Sequence, residues 1–303
     1  MALRRLLLAC AMLLGACGDD GPVGPSPDAS EQPPWWQPAP GAYHNWDIQL
    51  YAPFDTSGVR DMYVLDLFQV LPAATMVDYG DGEPVTFPAG SQATAIAQLH
   101  GRGAIVVCRV NVGAINPMTD PDAAKFPAAI RGINTMNPND ADEVFVDIRT
   151  AARATWSAAL QKRIELAKLA GCDAIDADKS LQIMGVGFNV PFDEQKAFHL
   201  AITALAHSAT VQLSIGLRNG FMFSSNPEVV AAYDFGITEG MAATTCCDEV
   251  RPFIDAGKAA FAIDYLGPEL TKQAACAAYR DGGMRDGLLK DETLSSAVRD
   301  VCE

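Results

Sequence analysis

Asp178 and Glu239 each close a short apolar run at the point where a buried strand would reach the surface. Asp178 ends Cys172-Asp173-Ala174-Ile175-Asp176-Ala177-Asp178, and Glu239 ends Tyr233-Asp234-Phe235-Gly236-Ile237-Thr238-Glu239. An acid in such a place costs solvation free energy unless it is paired or put to use. Two carboxyls facing one cleft are the minimum for breaking a glycosidic bond: one protonates the leaving oxygen, and the other attacks or activates water. These two residues are the candidate catalytic pair. The competing role is structural, a buried ion pair with Lys179 or Arg218, because ion-pair networks perturb acids as active sites do.

The elements that must position this pair show as eight short β-rich runs. They are Trp46–Leu50, Met62–Leu67, Ala104–Val110, Val144–Ile148, Ala174–Asp178, Val211–Leu217, Phe235–Glu239 and Ala259–Tyr265. Their hydrophobicity is continuous rather than alternating, as strands buried on both faces require. Helical stripes lie between several of them. Trp156, Leu160, Ile164 and Ala167 precede Gly171, which can end a helix, and Phe198, Ile202 and Leu205 repeat the pattern. Asn226-Pro227 reads as an N-cap followed by proline at the first helical position. Val250, Phe253 and Ile254 share a face that Gly257 closes. The connection 51–61 is too short for a full crossover helix.

Eight strands with crossover helices predict an α/β single domain, a (β/α)8 TIM barrel. An open doubly wound sheet is the runner-up, but no glycine-rich phosphate loop follows the first strand. In a barrel, function gathers at the C-terminal strand ends. Those ends read Gln49, Asp66, Asn111, Asp147 with Arg149, Asp178, Arg218 with Asn219, Glu239, and Asp264 with Tyr265. A purely structural barrel needs no such concentration of polar groups.

Residues 1–16 read as a lipoprotein signal peptide, with Arg4 and Arg5 before the apolar stretch Leu6 to Leu14. Leu14-Gly15-Ala16-Cys17 resembles a lipobox and makes Cys17 the expected lipidation site. Residues 17–34 form a proline-rich tether with too little apolar content for a core, leaving 35–303 as the barrel domain. The expected protein is exported and held to a bacterial membrane by its lipid alone, on the periplasmic or cell-surface face. A monomer is expected.

The formal net charge of −15 argues against nucleic acid and suits a cationic substrate, although simple solubility explains it equally well. Six cysteines remain after Cys10 and Cys17, which permits fifteen pairings. Cys108 and Cys172 fall in predicted strands and are open to being buried free thiols. Cys246, Cys247, Cys276 and Cys302 are the better bridge candidates. No Cys-x-x-Cys occurs, and the four histidines lack ligand spacing, so no metal is implied. His199 and His207, eight apart on a probable helix, are face residues. No organic cofactor is implied.

Nine short pieces then carry a family resemblance in order. They are Trp46-Asp47-Ile48-Gln49-Leu50, Val64-Leu65-Asp66-Leu67-Phe68, Asp147-Ile148-Arg149, Arg163 with Ala167 before Gly171-Cys172-Asp173, and Asp176-Ala177-Asp178. Gly216-Leu217-Arg218-Asn219, Thr238-Glu239, Gly257-Lys258 and Ile263-Asp264-Tyr265 follow. Together they resemble glycoside hydrolase family 114, the endo-α-1,4-polygalactosaminidases related to spherulin 4. The resemblance implies a barrel hydrolase acting on cationic, galactosamine-rich exopolysaccharide, with Asp178 and Glu239 as catalytic pair.

This chain departs from the family pattern at several positions. Lys179 stands where the family usually has Asn, Arg218 where it has Lys, Asp264 where it has Glu, and Arg109 where an aromatic is usual. Met241 replaces a cysteine, while Cys247 is retained. Lys179 would lower the pKa of Asp178, which suits a nucleophile and not an acid. It also adds positive charge where a cationic sugar should bind. Asp178 is therefore expected as nucleophile and Glu239 as general acid/base.

Trp46, Gln49, Asp66, Asn111, Asp147, Asp176, Lys179, Arg218, Asn219, Asp264 and Tyr265 complete the candidate substrate-binding set. For Asp66, Asp147 and Asp176 a structural role is equally open, as is a hydrogen-bonded core role for Asn219 and Tyr265. Packing is the commoner fate of a Trp placed like Trp46. Trp35 and Trp36 either plug one barrel end or extend the substrate surface. The alternative function is a non-catalytic carbohydrate-binding lipoprotein on the same barrel. A metal-dependent deacetylase ranks third, for want of a His-x-x-x-His pair.

Overall fold

Seven of the eight predicted runs lie side by side in one sheet of a computed structural model, which describes residues 33–137, 139–182, 185–244, 250–267 and 270–302. The signal segment, Cys17, most of the tether, and Cys246 with Cys247 lie outside the described residues. Residues 34–303 cluster as one unit. The strands are β1 (Trp46–Gln49), β2 (Met62–Asp66), β3 (Ile105–Asn111), β4 (Ala174–Asp178), β5 (Ser214–Arg218), β6 (Phe235–Glu239), β7 (Ala259–Tyr265) and β8 (Asp286–Lys290). All eight run parallel in sequence order, and a short β9 (Asp300–Val301) adds antiparallel to β8.

The sheet curls into an α/β, barrel-like fold in which β1 and β8 approach each other. The Trp46 indole donates to the Asp286 carbonyl at 3.1 Å, and Lys290 Nζ donates to Asp47 Oδ1 at 2.9 Å. Helices Ser157–Ala170, Phe192–Ala206 and Lys272–Asp281 supply crossovers on the outer face. Gly171 ends the first of these with φ of 92°, a conformation glycine adopts at no steric cost. Asn226 caps the helix at Pro227, accepting from the backbone of Glu228 and Val229. No helix of the described residues is long and apolar enough to cross a membrane.

The fourth predicted barrel strand is not in this sheet. Val144–Val146 pairs antiparallel with Ala114–Ile115 and Arg131–Asn134 in a separate three-stranded sheet. The eighth parallel strand is instead Asp286–Lys290, whose apolar run is only Leu288-Leu289. Its charged ends are buried because each finds a distant partner: Asp286 receives the Gly41 amide at 3.0 Å, and Lys290 pairs with Asp47.

Cys108 and Cys172 correct a second expectation. They are not free thiols but a disulfide linking β3 to the turn before β4, with a Cα–Cα distance of 5.8 Å. Cys276 and Cys302 form the other bridge among the described residues.

Strand alternation divides the sheet into two polar and apolar layers. Trp46, Ile48, Met62, Val64, Phe261 and Leu288 share one inward-facing cluster with Phe235 and Ile237. Two residues further along each strand, the same face carries Asp66, Arg109, Asp178, Arg218, Glu239 and Tyr265. Apolar side chains thus fill the N-terminal end of the ring, and charged ones gather at its C-terminal end. Trp35 stacks on His207 with ring centroids 4.2 Å apart and donates to Asp234 at 3.0 Å. Trp36 packs edge-on against Phe235, the first residue of β6. Both tryptophans therefore close the end opposite Glu239 and take no part in the charged face.

Candidate active site

Asp178 ends β4 under the control of three cations. Arg109 Nε donates to Asp178 Oδ2 at 2.8 Å, and a second guanidinium nitrogen lies 2.7 Å from the same oxygen. Arg218 Nε stands 3.5 Å from Asp178 Oδ1, and the Lys179 backbone amide donates to that oxygen at 2.8 Å. Burial opposes ionisation of Asp178. Arg109, Arg218 and Lys179 outweigh it and hold the carboxyl well below the usual carboxylate range.

Glu239 ends β6 and joins the same network through Arg218. One Arg218 terminal nitrogen contacts Glu239 Oε1, and the other reaches Asp176 Oδ2 at 2.5 Å. Asn219 Nδ2 donates to Glu239 Oε2 at 3.0 Å, and its own oxygen accepts the Glu239 amide at 2.8 Å. The Tyr265 hydroxyl is bonded to Glu239 as well, and burial together with that charge pushes the hydroxyl well above its ordinary pKa. Arg218 is thus one guanidinium shared by Asp176, Asp178 and Glu239. Asp178 and Glu239 line a cleft of about 330 Å³ with Tyr51, Asn137, Lys179 and Tyr265, within the size of a small-ligand site.

The sequence model of glycoside hydrolase family GH114 matches residues 25–303. The chain belongs to glycoside hydrolase family GH114. No curated protein matches it by sequence. Among solved structures it is similar to Ega3 of Aspergillus fumigatus in complex with galactosamine. Identity is 25% over 88% of this chain and 97% of that one, with a TM-score of 0.69. The glycoside hydrolase domain of PelA from Pseudomonas aeruginosa shares the fold at 17% identity, covering 86% of this chain and 98% of that one, with a TM-score of 0.57.

In this GH114 chain nine of the predicted site residues fall into three groups. Asp178, Lys179, Arg218, Asn219, Glu239 and Tyr265 meet in the cleft. Asp66 and Asn111 border an adjoining pocket of about 350 Å³ that shares Tyr51 and Arg109 with the cleft. Asp66 accepts from Arg109 at 3.1 Å and caps the helix that begins at Leu67, bonding the amides of Phe68 and Gln69. Burial raises the Asp66 pKa, and Arg109 partly offsets it. Asp176 is fully buried beneath the cleft and reaches substrate only through Arg218.

Four of the predicted substrate contacts are corrected. Trp46 is fully buried at the N-terminal end of β1, a full strand length from the polar face. Gln49 lies between the inward-facing Ile48 and Leu50, and its side chain instead binds Asp47 and both backbone groups of Asp55. Asp264 is one residue out of phase with Ile263 and Tyr265. It accepts from the amides of Ala242 and Ala243 and from the Tyr279 hydroxyl at 2.6 Å. Asp147 follows the separate small sheet and pairs with Arg149.

Glu143 was not among the expected residues, yet it is central. Its carboxylate is completely buried and accepts from Asn111 at 2.7 Å and Thr135 at 2.5 Å, with Arg109 at 3.4 Å and Lys179 at 3.5 Å. No strand-end signal marks it, because Asp140-Ala141-Asp142-Glu143 reads as a solvated acidic turn. Arg109 had a usable signal: it is a charge inside the apolar run Ile105–Asn111, and such a charge needs partners.

Proposed function

We propose that this glycoside hydrolase cleaves α-1,4-linked, galactosamine-containing exopolysaccharide on a (β/α)8 barrel, using Asp178 and Glu239. The carrying observation is that both carboxyls line one cleft and lie against one guanidinium, Arg218, buried beneath it. The galactosamine in the complex of the similar Ega3 supports the substrate class. Asp178, flanked by three cations, stays ionised and serves as nucleophile. Glu239 then serves as general acid/base towards the glycosidic oxygen. Glu239 gives its proton to the leaving oxygen and later takes one from the water that hydrolyses the glycosyl-enzyme. Tyr265 and Asn219 hold Glu239 in place during that exchange.

The measurement is reducing-end release from N-acetylated and de-acetylated galactosamine polymers by the wild type, Asp178→Asn and Glu239→Gln. Release by the wild type should fall by about 10²–10⁴ in each variant, the range for losing an acid–base group, with glycan binding kept. Binding without release from either polymer by the wild type would replace this reading with the non-catalytic binder. We also read residues 1–16 as a lipoprotein signal peptide and Cys17 as the lipidated residue, on the strength of Arg4-Arg5, Leu6 to Leu14 and Leu14-Gly15-Ala16-Cys17. Palmitate labelling that disappears in Cys17→Ala tests it.

A further inference from the structure

We propose that Glu143 cancels the charge of Lys179 and so keeps the cleft receptive to an amino-sugar cation, a role that rests on the hydrolase assignment above. Among the described residues that line the cleft, Lys179 is the most exposed cation. Its side chain is 24% exposed, against 10% for Arg109 and 2% for Arg218. An unopposed ammonium at this place would repel the ammonium of an incoming sugar.

Lys179 makes its ion pair away from the cleft carboxyls. Asp178 Oδ2 is taken by Arg109 at 2.7 Å, and Glu239 Oε1 by Arg218. Lys179 Nζ lies 3.5 Å from Glu143 Oε2 instead. Arg109, Arg218 and Lys179 are thus shared among Asp66, Glu143, Asp176, Asp178 and Glu239, with Glu292 as a further acid of the cleft lining. The site as a whole carries excess negative charge, which favours a cationic sugar. Glu143 keeps Lys179 from opposing it.

Glu143 acts on a ligand only through its partners. Its side chain is completely buried and lines neither the cleft nor the adjoining pocket. Asn111 donates to it at 2.7 Å and Thr135 at 2.5 Å, and Arg109 stands 3.4 Å away. Those bonds fix the carboxylate behind Lys179, so it is a positioning residue. Gln matches Glu in size and keeps one acceptor oxygen for these donors, so Glu143→Gln removes the charge with little change of shape.

The test compares kcat and KM on de-acetylated and N-acetylated α-1,4-galactosamine polymers for the wild type, Glu143→Gln, and Glu143→Gln combined with Lys179→Asn. Asn tolerates the φ of 57° at position 179. Glu143→Gln should raise KM for the de-acetylated polymer about tenfold, because the lysine charge is no longer opposed. KM for the N-acetylated polymer should move far less. Adding Lys179→Asn should bring KM for the de-acetylated polymer back to within about twofold of the wild type. An equal rise on both polymers, or no recovery with Lys179→Asn, overturns the inference and leaves the hydrolase assignment intact. If the wild type cleaves only the de-acetylated polymer, the recovery alone decides. If Glu143→Gln fails to fold by thermal unfolding, the double variant decides: a wild-type KM supports the cancellation, and a KM raised about tenfold overturns it. Cleavage of neither polymer removes the hydrolase assignment itself, and the inference with it.

Discussion

Asp176 and Arg218 form an ion pair sealed beneath the cleft, with Asp176 wholly buried and Arg218 only 3% exposed. The guanidinium so anchored also touches Asp178 and Glu239, so the buried aspartate sets where the two cleft carboxyls stand. Asp176 Oδ1 and Arg218 Nε have no hydrogen-bond partner, which leaves the pair dependent on a single contact from each side.

Asp176→Asn should therefore destabilise the fold by about 1.5–3 kcal/mol, the contribution of one hydrogen bond to a charged group, because Arg218 keeps Asp178 and Glu239 as partners. Guanidinium unfolding at neutral pH measures it. The freed Arg218 should draw Glu239 more tightly, so kcat should fall more than KM rises. A variant as stable as the wild type would show that Asp176 does not anchor Arg218.

Stability should depend on pH through the same residue. Burial lifts Asp176 from its ordinary 3.8 to about 6, against the pull of Arg218. The folded chain then keeps a proton that the unfolded chain has released. The stability this contributes is complete below about pH 3.8 and is lost as pH rises through about 6. Asp178 works in the opposite sense, its contribution being present above 3.8 and lost as pH falls, because its carboxyl is held low. Unfolding midpoints at pH 4.5 and 7 should show a pH-dependent step in the wild type that Asp176→Asn lacks. Equal pH dependence in both proteins would remove this role for Asp176.

Gly113 supports the cleft from below without touching substrate. A Cβ at this position would lie 2.1 Å from the Lys179 carbonyl oxygen and 2.5 Å from Gln182 Nε2. Gly113→Ala must push the Lys179 backbone towards the cleft, at an overpacking cost of about 1–3 kcal/mol. Activity should drop along with thermal stability. Full activity with lowered stability would mean that the strain is absorbed elsewhere.

The Cys108–Cys172 bridge closes a loop spanning 64 residues. A loop of that size is worth about 4 kcal/mol in chain-entropy terms, as an upper figure. Cys108→Ala with Cys172→Ala should lower unfolding free energy by up to this amount. Arg109 sits next to the bridge and clamps Asp178, so activity should become more heat-sensitive than in the wild type. Unchanged unfolding of the double variant would show that the bridge adds nothing to stability.

Much of the site was legible from alternation alone. Asp176 and Asp178 are two apart on one strand and must share a face, and Arg218, Glu239 and Tyr265 end neighbouring strands in matching phase. The same rule removes Gln49 and Asp264, each one residue out of phase with an inward-facing neighbour. Trp46 was excluded by which end of its strand it occupies. Asp286–Lys290 was hidden because two leucines between buried charges do not read as a strand until Asp47 and Gly41, more than 240 positions away, supply the partners.

The amino-acid sequence by itself determined seven of the eight parallel strands, the faces on which their terminal acids lie, and Asp178 with Glu239 as the candidate pair. These follow from local periodicity and from the solvation cost of a carboxyl at a strand end. Only the tertiary structure decided that Arg218 joins Asp176, Asp178 and Glu239, that Glu143 lies sealed behind Lys179, and that Cys108 meets Cys172. Those contacts join residues dozens of positions apart, where the low dielectric of a packed interior makes partner geometry, not residue type, decide which charges can be buried.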